Sequence, residues 1–158
     1  MSTSSNQKRS GWALVVFLLI TFAAPALSAF IEMPGPWFDA LRKPPLNPPK
    51  EVFGPVWTLL YTLMAVAAWL VWKREGFGPA LKIYFVQLAL NAAWTPIFFG
   101  AHALGLALGV IVAMWVTILM TWLSFRKVNA VAGWLFVPYL GWVSFATYLN
   151  FSFWQLNG

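Results

Sequence analysis

The sequence predicts an all-α fold, an integral membrane bundle of five transmembrane helices forming one domain. Composition is the first observation behind this. Of 158 residues, 61% are hydrophobic and 9% charged, whereas a soluble domain carries about 45–50% apolar and 25% charged residues. Second, the apolar residues gather into five stretches, each long enough for the roughly 20-residue crossing of a hydrocarbon core. Third, the basic residues Lys8-Arg9, Arg42-Lys43, Lys50, Lys73-Arg74, Lys82 and Arg126-Lys127 all stand beside the ends of those stretches. There, long stems snorkel and cationic heads reach anionic headgroups. The net charge of +6 is thereby assigned to membrane lipids as partners, and no nucleic acid is expected. The near-continuous apolarity of Leu59 to Val71 and of Leu104 to Leu119 argues against the alternating pattern of a membrane β-barrel.

Residues 1–10 are polar and Ser-rich, with too little apolar surface to fold, and read as a disordered tail. The domain runs over 11–158, with spans at about 11–31, 52–72, 81–99, 104–125 and 130–154. Lys8-Arg9, an apolar run and Ala26-Leu27-Ser28-Ala29 also fit a cleavable signal peptide. Against that, the apolar run continues to Ile31, and its removal leaves four helices. Between the first two spans lies the long loop 32–51. Its pairs Pro44-Pro45 and Pro48-Pro49 fix φ and bias their predecessors away from helix. The loop is therefore a stiff lid, or a plain spacer, carrying Trp37, Lys43, Pro44, Asn47, Pro48 and Pro49. With five spans, seven basic residues fall on the N-terminal side and three on the other, which places the N-terminus inside and the lid outside. Pro25, Pro96 and Pro138 lie within spans and predict bends. Ala101, Gly105, Gly109, Ala113, Thr117 and Thr121 recur every four residues along the fourth span. Such a stripe admits a close helix, inside the bundle or across a homodimer, with the intramolecular use favoured.

Polar and aromatic residues at helical spacing mark the faces that avoid lipid. Tyr84, Gln87, Asn91 and Trp94 stack on one side of the third span. An amide in hydrocarbon must find partners, so this face turns inward, either as interhelical glue or as a cavity wall. Phe53, Trp57, Tyr61 and Met64 form a similar face in the second span, and Tyr139, Trp142, Ala146, Leu149 and Asn150 another in the fifth. Of eleven tryptophans, Trp12, Trp37, Trp72, Trp122 and Trp154 suit the interfacial belt. Trp57, Trp94, Trp115 and Trp142 lie deeper, where an indole serves packing or stacks on a planar ligand. No Asp or Glu falls within the spans, no nucleophile stands beside a base, and no Gly-rich loop could cradle a phosphate. Without cysteine and with a single histidine, His102, in a turn, no metal site and no required cofactor are expected.

Lys43-Pro44, Asn47-Pro48-Pro49, Phe53, Pro55, Trp57 and Tyr61 come first in order. Gln87-Leu88, Asn91, Trp94-Thr95-Pro96 and Phe98-Phe99 follow, then Pro138-Tyr139-Leu140, Trp142 and Leu149-Asn150. In that order and on those helices, the chain resembles the TspO/MBR family, the tryptophan-rich sensory proteins and translocator proteins also called peripheral benzodiazepine receptors. The resemblance spans everything after the tail. It implies a five-helix membrane bundle, often a homodimer, with a pocket opening toward the first loop and a sensory or regulatory role. It implies porphyrins or other haem-pathway tetrapyrroles as ligands; relatives also take cholesterol and synthetic isoquinolines or benzodiazepines. Trp57, Tyr61, Asn91, Trp94, Trp142, Ala146 and Leu149 would line the pocket under a lid containing Pro48. For members that degrade porphyrin in light, Trp57 and Trp142 would be the catalytic counterparts. Two departures stand out. Pro45-Leu46 occupy positions where bacterial relatives often carry tryptophan, and no basic residue follows Tyr148, so the cholesterol-recognition pattern is absent.

The expectation is therefore a membrane receptor or carrier holding a tetrapyrrole between aromatic faces. Its candidate ligand contacts are Phe53, Trp57, Tyr61, Tyr84, Gln87, Asn91, Trp94, Trp142, Ala146 and Leu149. Asn91 would supply a hydrogen bond, and the loop cations would attract propionates. The rivals are a light-dependent porphyrin-degrading enzyme and a structural or regulatory subunit without a ligand.

Overall fold

Residues 2–29 and 35–158 are described in the computed structural model, with side chains over 4–26 and 35–158. The described residues are helical and contain no strand. Helix α1 (Ser2–Ala29) is followed by the short α2 (Pro36–Ala40), then α3 (Lys50–Glu75), α4 (Pro79–Thr95), α5 (Leu104–Val128) and α6 (Ala130–Asn157). Among the described residues five helices are long and apolar enough to cross a membrane, as expected. The expected end of the first span at Ile31 and the start of the lid at 32–34 lie outside the described residues.

Local chemistry sets the boundaries. The end of α3 is Gly76, whose φ of 71° is a left-handed conformation that costs glycine nothing. Pro36 and Pro79 open α2 and α4 in the first turn, where a missing N–H is no loss. Pro96 has no N–H to give to the carbonyl four residues back. There the chain widens into a π turn over Pro96–Gly100, closed by Ala101 N donating to Pro96 O at 2.8 Å. Pro25 and Pro138 sit inside continuous helices. Between α5 and α6, Asn129 Oδ1 accepts from Val131 N and Ala132 N at 2.9 and 3.2 Å, satisfying donors at the start of α6.

One boundary departs from expectation. The segment expected to be a disordered tail is helical from Ser2 onward. Once the apolar turns behind it are formed, extending a helix fixes one residue per hydrogen bond, without a new nucleus.

Helix α1 packs against α3 and α4, α3 against α6, α6 against α5 and α5 against α4, so the ring closes. At the end bearing the loop meet the second halves of α1, α4 and α6 and the first halves of α3 and α5. The opposite end carries Lys73, Arg74, Lys82, Arg126 and Lys127. There the Lys73 ammonium lies 4.3 Å from the Trp69 ring centre and the Arg126 guanidinium 4.9 Å from that of Trp122, cations over interfacial indoles.

The small-residue stripe of α5 serves as the favoured helix-packing seam only in part. Gly105 lies against Trp154 of α6, where an added Cβ would sit 3.2 Å from Nε1, and Thr121 is buried, but Gly109 and Ala113 are exposed, while Leu104, Ala107, Ile111, Met114, Ile118 and Phe125 are buried. The larger side chains fill the space toward neighbouring helices and gain the dispersion contacts. Backbones approach closely at Gly133 instead, where an added Cβ would lie 2.6 Å from Arg126 Cβ and 2.9 Å from its Cα.

Two apolar clusters fill the interior. The larger includes Tyr61, Met64, Tyr84, Ile111, Met114, Phe125, Phe136 and Tyr139. The smaller, at the loop end, joins Phe38, Phe98, Leu104, Ala107, Leu149 and Phe153.

Candidate ligand-binding cavity

A cavity of about 580 Å³ lies between the two clusters, within the range of sites that enclose small molecules. From α3 it receives Phe53, Trp57 and Tyr61, from α4 Asn91 and Trp94, and from α6 Trp142, Ala146 and Leu149. Three expected faces thus converge because α3, α4 and α6 present their loop-end halves to one another. Trp57 stacks on Tyr61 with ring centres 5.5 Å apart and meets Trp142 edge-on at 6.4 Å and 89°. Phe53 closes on Trp142 at 5.8 Å. These pairs hold the indoles in fixed orientations while leaving apolar ring faces as wall.

Below the rings runs a polar seam. Tyr61 Oη donates to Asn91 Oδ1 (2.5 Å), Asn91 Nδ2 donates to Tyr139 Oη (2.8 Å), and Tyr139 Oη donates to Gln87 Oε1 (2.8 Å). Trp94 Nε1 donates to Asn150 Oδ1 (2.9 Å), whose Nδ2 donates to Leu104 O (3.0 Å). Each amide in this seam accepts on one side and donates on the other, the condition for burying it in a lipid-solvated fold.

Comparison with known proteins gives a match over residues 8–155 to the sequence profile of the TspO/MBR family. The chain belongs to the TspO/MBR family. It is 45% identical over 146 residues to the tryptophan-rich sensory protein of Cereibacter sphaeroides, covering 92% of each chain. It is 38% identical to protein CrtK of Rhodobacter capsulatus, over 91% of this chain and 92% of that one. With the translocator protein of Homo sapiens it shares 41% identity over 77% of this chain and 75% of that one. Membership and the five apolar helices together make it an integral multi-pass membrane protein.

In this TspO/MBR protein two residues expected on the ligand face stand elsewhere. Tyr84 is fully buried, hydrogen-bonded to Thr21 Oγ1 and packed at 5.9 Å on Phe125 and 6.3 Å on Phe136. Gln87 is fully buried under Asn91, its Nε2 directed at Met64 Sδ. Both belong to the half of α4 that α1, α5 and α6 enclose, whereas Asn91 and Trp94 belong to the half facing the cavity. Pro25, Gly54, Thr95, Phe98, Phe99, Ile111, Met114, Asn150 and Phe153 also line it, without having been expected as ligand contacts. Ile111 and Met114 are plain apolar residues with no polar or aromatic mark.

The lid contributes differently from expectation. Phe38, Asn47, Lys50 and Glu51 line the cavity, while Trp37, Lys43, Pro44, Pro48 and Pro49 do not. Trp37 instead stacks on His102, ring centres 4.0 Å apart and planes 9° apart. His102 holds the α4–α5 turn with φ of 54°. Lys43 Nζ donates to Phe38 O and Leu41 O and covers the Phe38 ring, and Lys50 pairs with Asp39. That partner, Lys50, holds the Asp39 carboxyl below its ordinary value of 3.8. Asn47 N donates to Pro44 O in a turn that interrupts the extended segment. Arg42 N donates to Asn157 Oδ1 (2.8 Å) and Asn157 Nδ2 to Arg42 O (3.1 Å). The loop is thus fastened to the start of α3, the end of α6 and the α4–α5 turn.

Proposed function

We propose that this protein is a membrane receptor or carrier that holds a planar, apolar ligand of the tetrapyrrole class in the aromatic cavity, in a sensory or regulatory role. The observation that carries this reading is the 580 Å³ cavity walled by Trp57, Trp94 and Trp142 from three different helices. A flat ring entering it exchanges lipid or water contact for apolar surface and indole faces. The names of the relatives, sensory and translocator proteins, accord with a receptor role. Asn91 keeps one N–H and one lone pair beyond those used by Tyr61 and Tyr139, so it can also bond a ligand. Attraction of propionates by loop cations falls to Lys50 at the cavity mouth, in competition with Asp39. The proposal includes membrane lipids and a second copy of the chain as partners, and an N-terminus on the inner face.

Titration of tryptophan fluorescence with protoporphyrin tests it. Trp57→Ala and Trp142→Ala should each weaken binding roughly tenfold, the effect of about 1.4 kcal/mol of lost contact. Titrations that superimpose on the wild type for both variants reject the reading.

A further inference from the structure

Charge is not shared evenly between the two ends of the bundle. The end opposite the loop holds seven of the ten basic residues and one of the four acids, so the whole net charge of +6 lies there. Among the described residues the one ion pair, Lys50 with Asp39, is at the loop end. The cations of the other end are exposed and have no acidic partner among the described residues. A bias of this kind orients a membrane protein without any particular arrangement of the charges. At α1 and α3, however, there is an arrangement.

Three contacts set the register of these two antiparallel helices. Phe22 meets Tyr61 with ring centres 5.8 Å apart, Phe17 meets Trp72 at 6.5 Å, and Trp69 Nε1 donates to Ser10 O at 2.8 Å. Continued away from the loop, that register sets Lys8 and Arg9 level with the last turn of α3, which carries Lys73 and Arg74. Packed helices lie about 8–10 Å apart, a gap that long basic side chains span from both sides. The Lys73 ammonium is held 4.3 Å from the centre of the same Trp69 ring that bonds Ser10. Glu75, the acid of this end, has its carboxylate over the α3–α4 turn, 3.8 Å from where a Cβ on Gly78 would stand. Four cations from two helices thus stand around one indole.

One phosphate leaves part of that charge unmatched, whereas two phosphates give each helix's pair of cations its own anion. The adjoining surface identifies what carries them. Trp12, Val16 and Ile20 continue along α1 from Arg9 into the span, exposed and apolar, a track for an acyl chain and not for a soluble anion. We infer that the start of α1 and the end of α3 form a site for a phospholipid bearing two phosphates. Lys8 and Arg9 take one phosphate and Lys73 and Arg74 the other, while the bond from Trp69 to Ser10 keeps the two pairs level. The site is remote from the aromatic cavity, and the inference is independent of what that cavity holds.

Native mass spectrometry of the full chain in detergent, titrated with cardiolipin or with the single-phosphate phosphatidylglycerol, tests this. The wild type should hold one cardiolipin per chain, roughly thirtyfold tighter than phosphatidylglycerol, the effect of a second phosphate on two more cations. Lys73→Gln with Arg74→Gln should bring the two lipids to nearly equal affinity. Arg126→Gln with Lys127→Gln removes the same charge from α5 at the same end and should leave the ratio as in the wild type. Trp69→Phe changes no charge but removes the bond to Ser10, and should narrow the ratio by roughly fivefold, the equivalent of one interhelical hydrogen bond. Each ratio is taken within one protein, so a general loss of integrity cancels. Equal binding of both lipids by the wild type, equal effects of the two double variants, or an unchanged ratio in Trp69→Phe overturns the inference in favour of a diffuse charge bias. Displacement of cardiolipin by equimolar inorganic pyrophosphate also overturns it, in favour of a site for soluble anions.

Discussion

Tyr84 and Tyr61 are both buried phenols, yet they serve different ends. The Tyr84 hydroxyl shares a hydrogen bond with Thr21 and its ring is wedged among Phe85, Phe125 and Phe136. The Tyr61 hydroxyl holds Asn91, and its ring is cavity wall against Trp57. Tyr84→Phe removes one interhelical hydrogen bond and should lower stability by about 0.6–1.7 kcal/mol. Protoporphyrin affinity should stay at the wild-type value. Tyr61→Phe should reduce both. Unfolding in mixed micelles and fluorescence titration read the two effects, and a Tyr84→Phe protein that binds weakly would return Tyr84 to the ligand face. The spacing of Tyr84, Gln87, Asn91 and Trp94 did place them on one inward side of α4. Periodicity reports a face and not a depth along it, so it could not reveal that one end of that face is packed and the other open.

At the level of whole elements, the contact of α5 with α6 and the fastening of the lid are the parts most open to test. A methyl group at Gly133 would collide with Arg126 backbone, whereas one at Gly141 would meet nothing within 4 Å. Gly133→Ala should therefore cost about 1–3 kcal/mol through overpacking. Gly141→Ala should be neutral or stabilising by up to about 1 kcal/mol through helix propensity. Equal effects of the two substitutions would contradict the close approach.

For the lid, the Asp39 carboxyl is depressed by Lys50. A depressed acid contributes its pairing above the unfolded value of 3.8 and loses it as pH falls through the lower folded value. Since the chain has no cysteine, a spin label on Leu46→Cys reports loop mobility without further substitution. Its mobility should rise on acidification below about pH 3.8 in the wild-type background. In Asp39→Asn it should be high throughout and show no such step. The prolines disclosed a stiff loop. They could not disclose that Phe38 enters the cavity while Trp37 turns to His102, because that depends on where a helix turn distant in sequence comes to lie.

Across the whole molecule, the spans were legible because hydrocarbon imposes length and apolarity on every crossing segment, and α3, α4, α5 and α6 hold close to the expected limits. Their ring order was not legible, since nothing in a single span names its neighbour. The outward turn of Gly109 and Ala113 is the clearest consequence. Once closed in the order α1, α3, α6, α5, α4, the ring leaves one space at the loop end that Trp57, Trp94 and Trp142 surround. The claim that a flat guest occupies this space is most directly tested by crystals grown with zinc protoporphyrin, in which anomalous scattering locates the metal. A zinc peak within the cavity among Trp57, Trp94 and Trp142 is the predicted result. Peaks confined to the lipid-facing surface, with the cavity empty at saturating porphyrin, would contradict it.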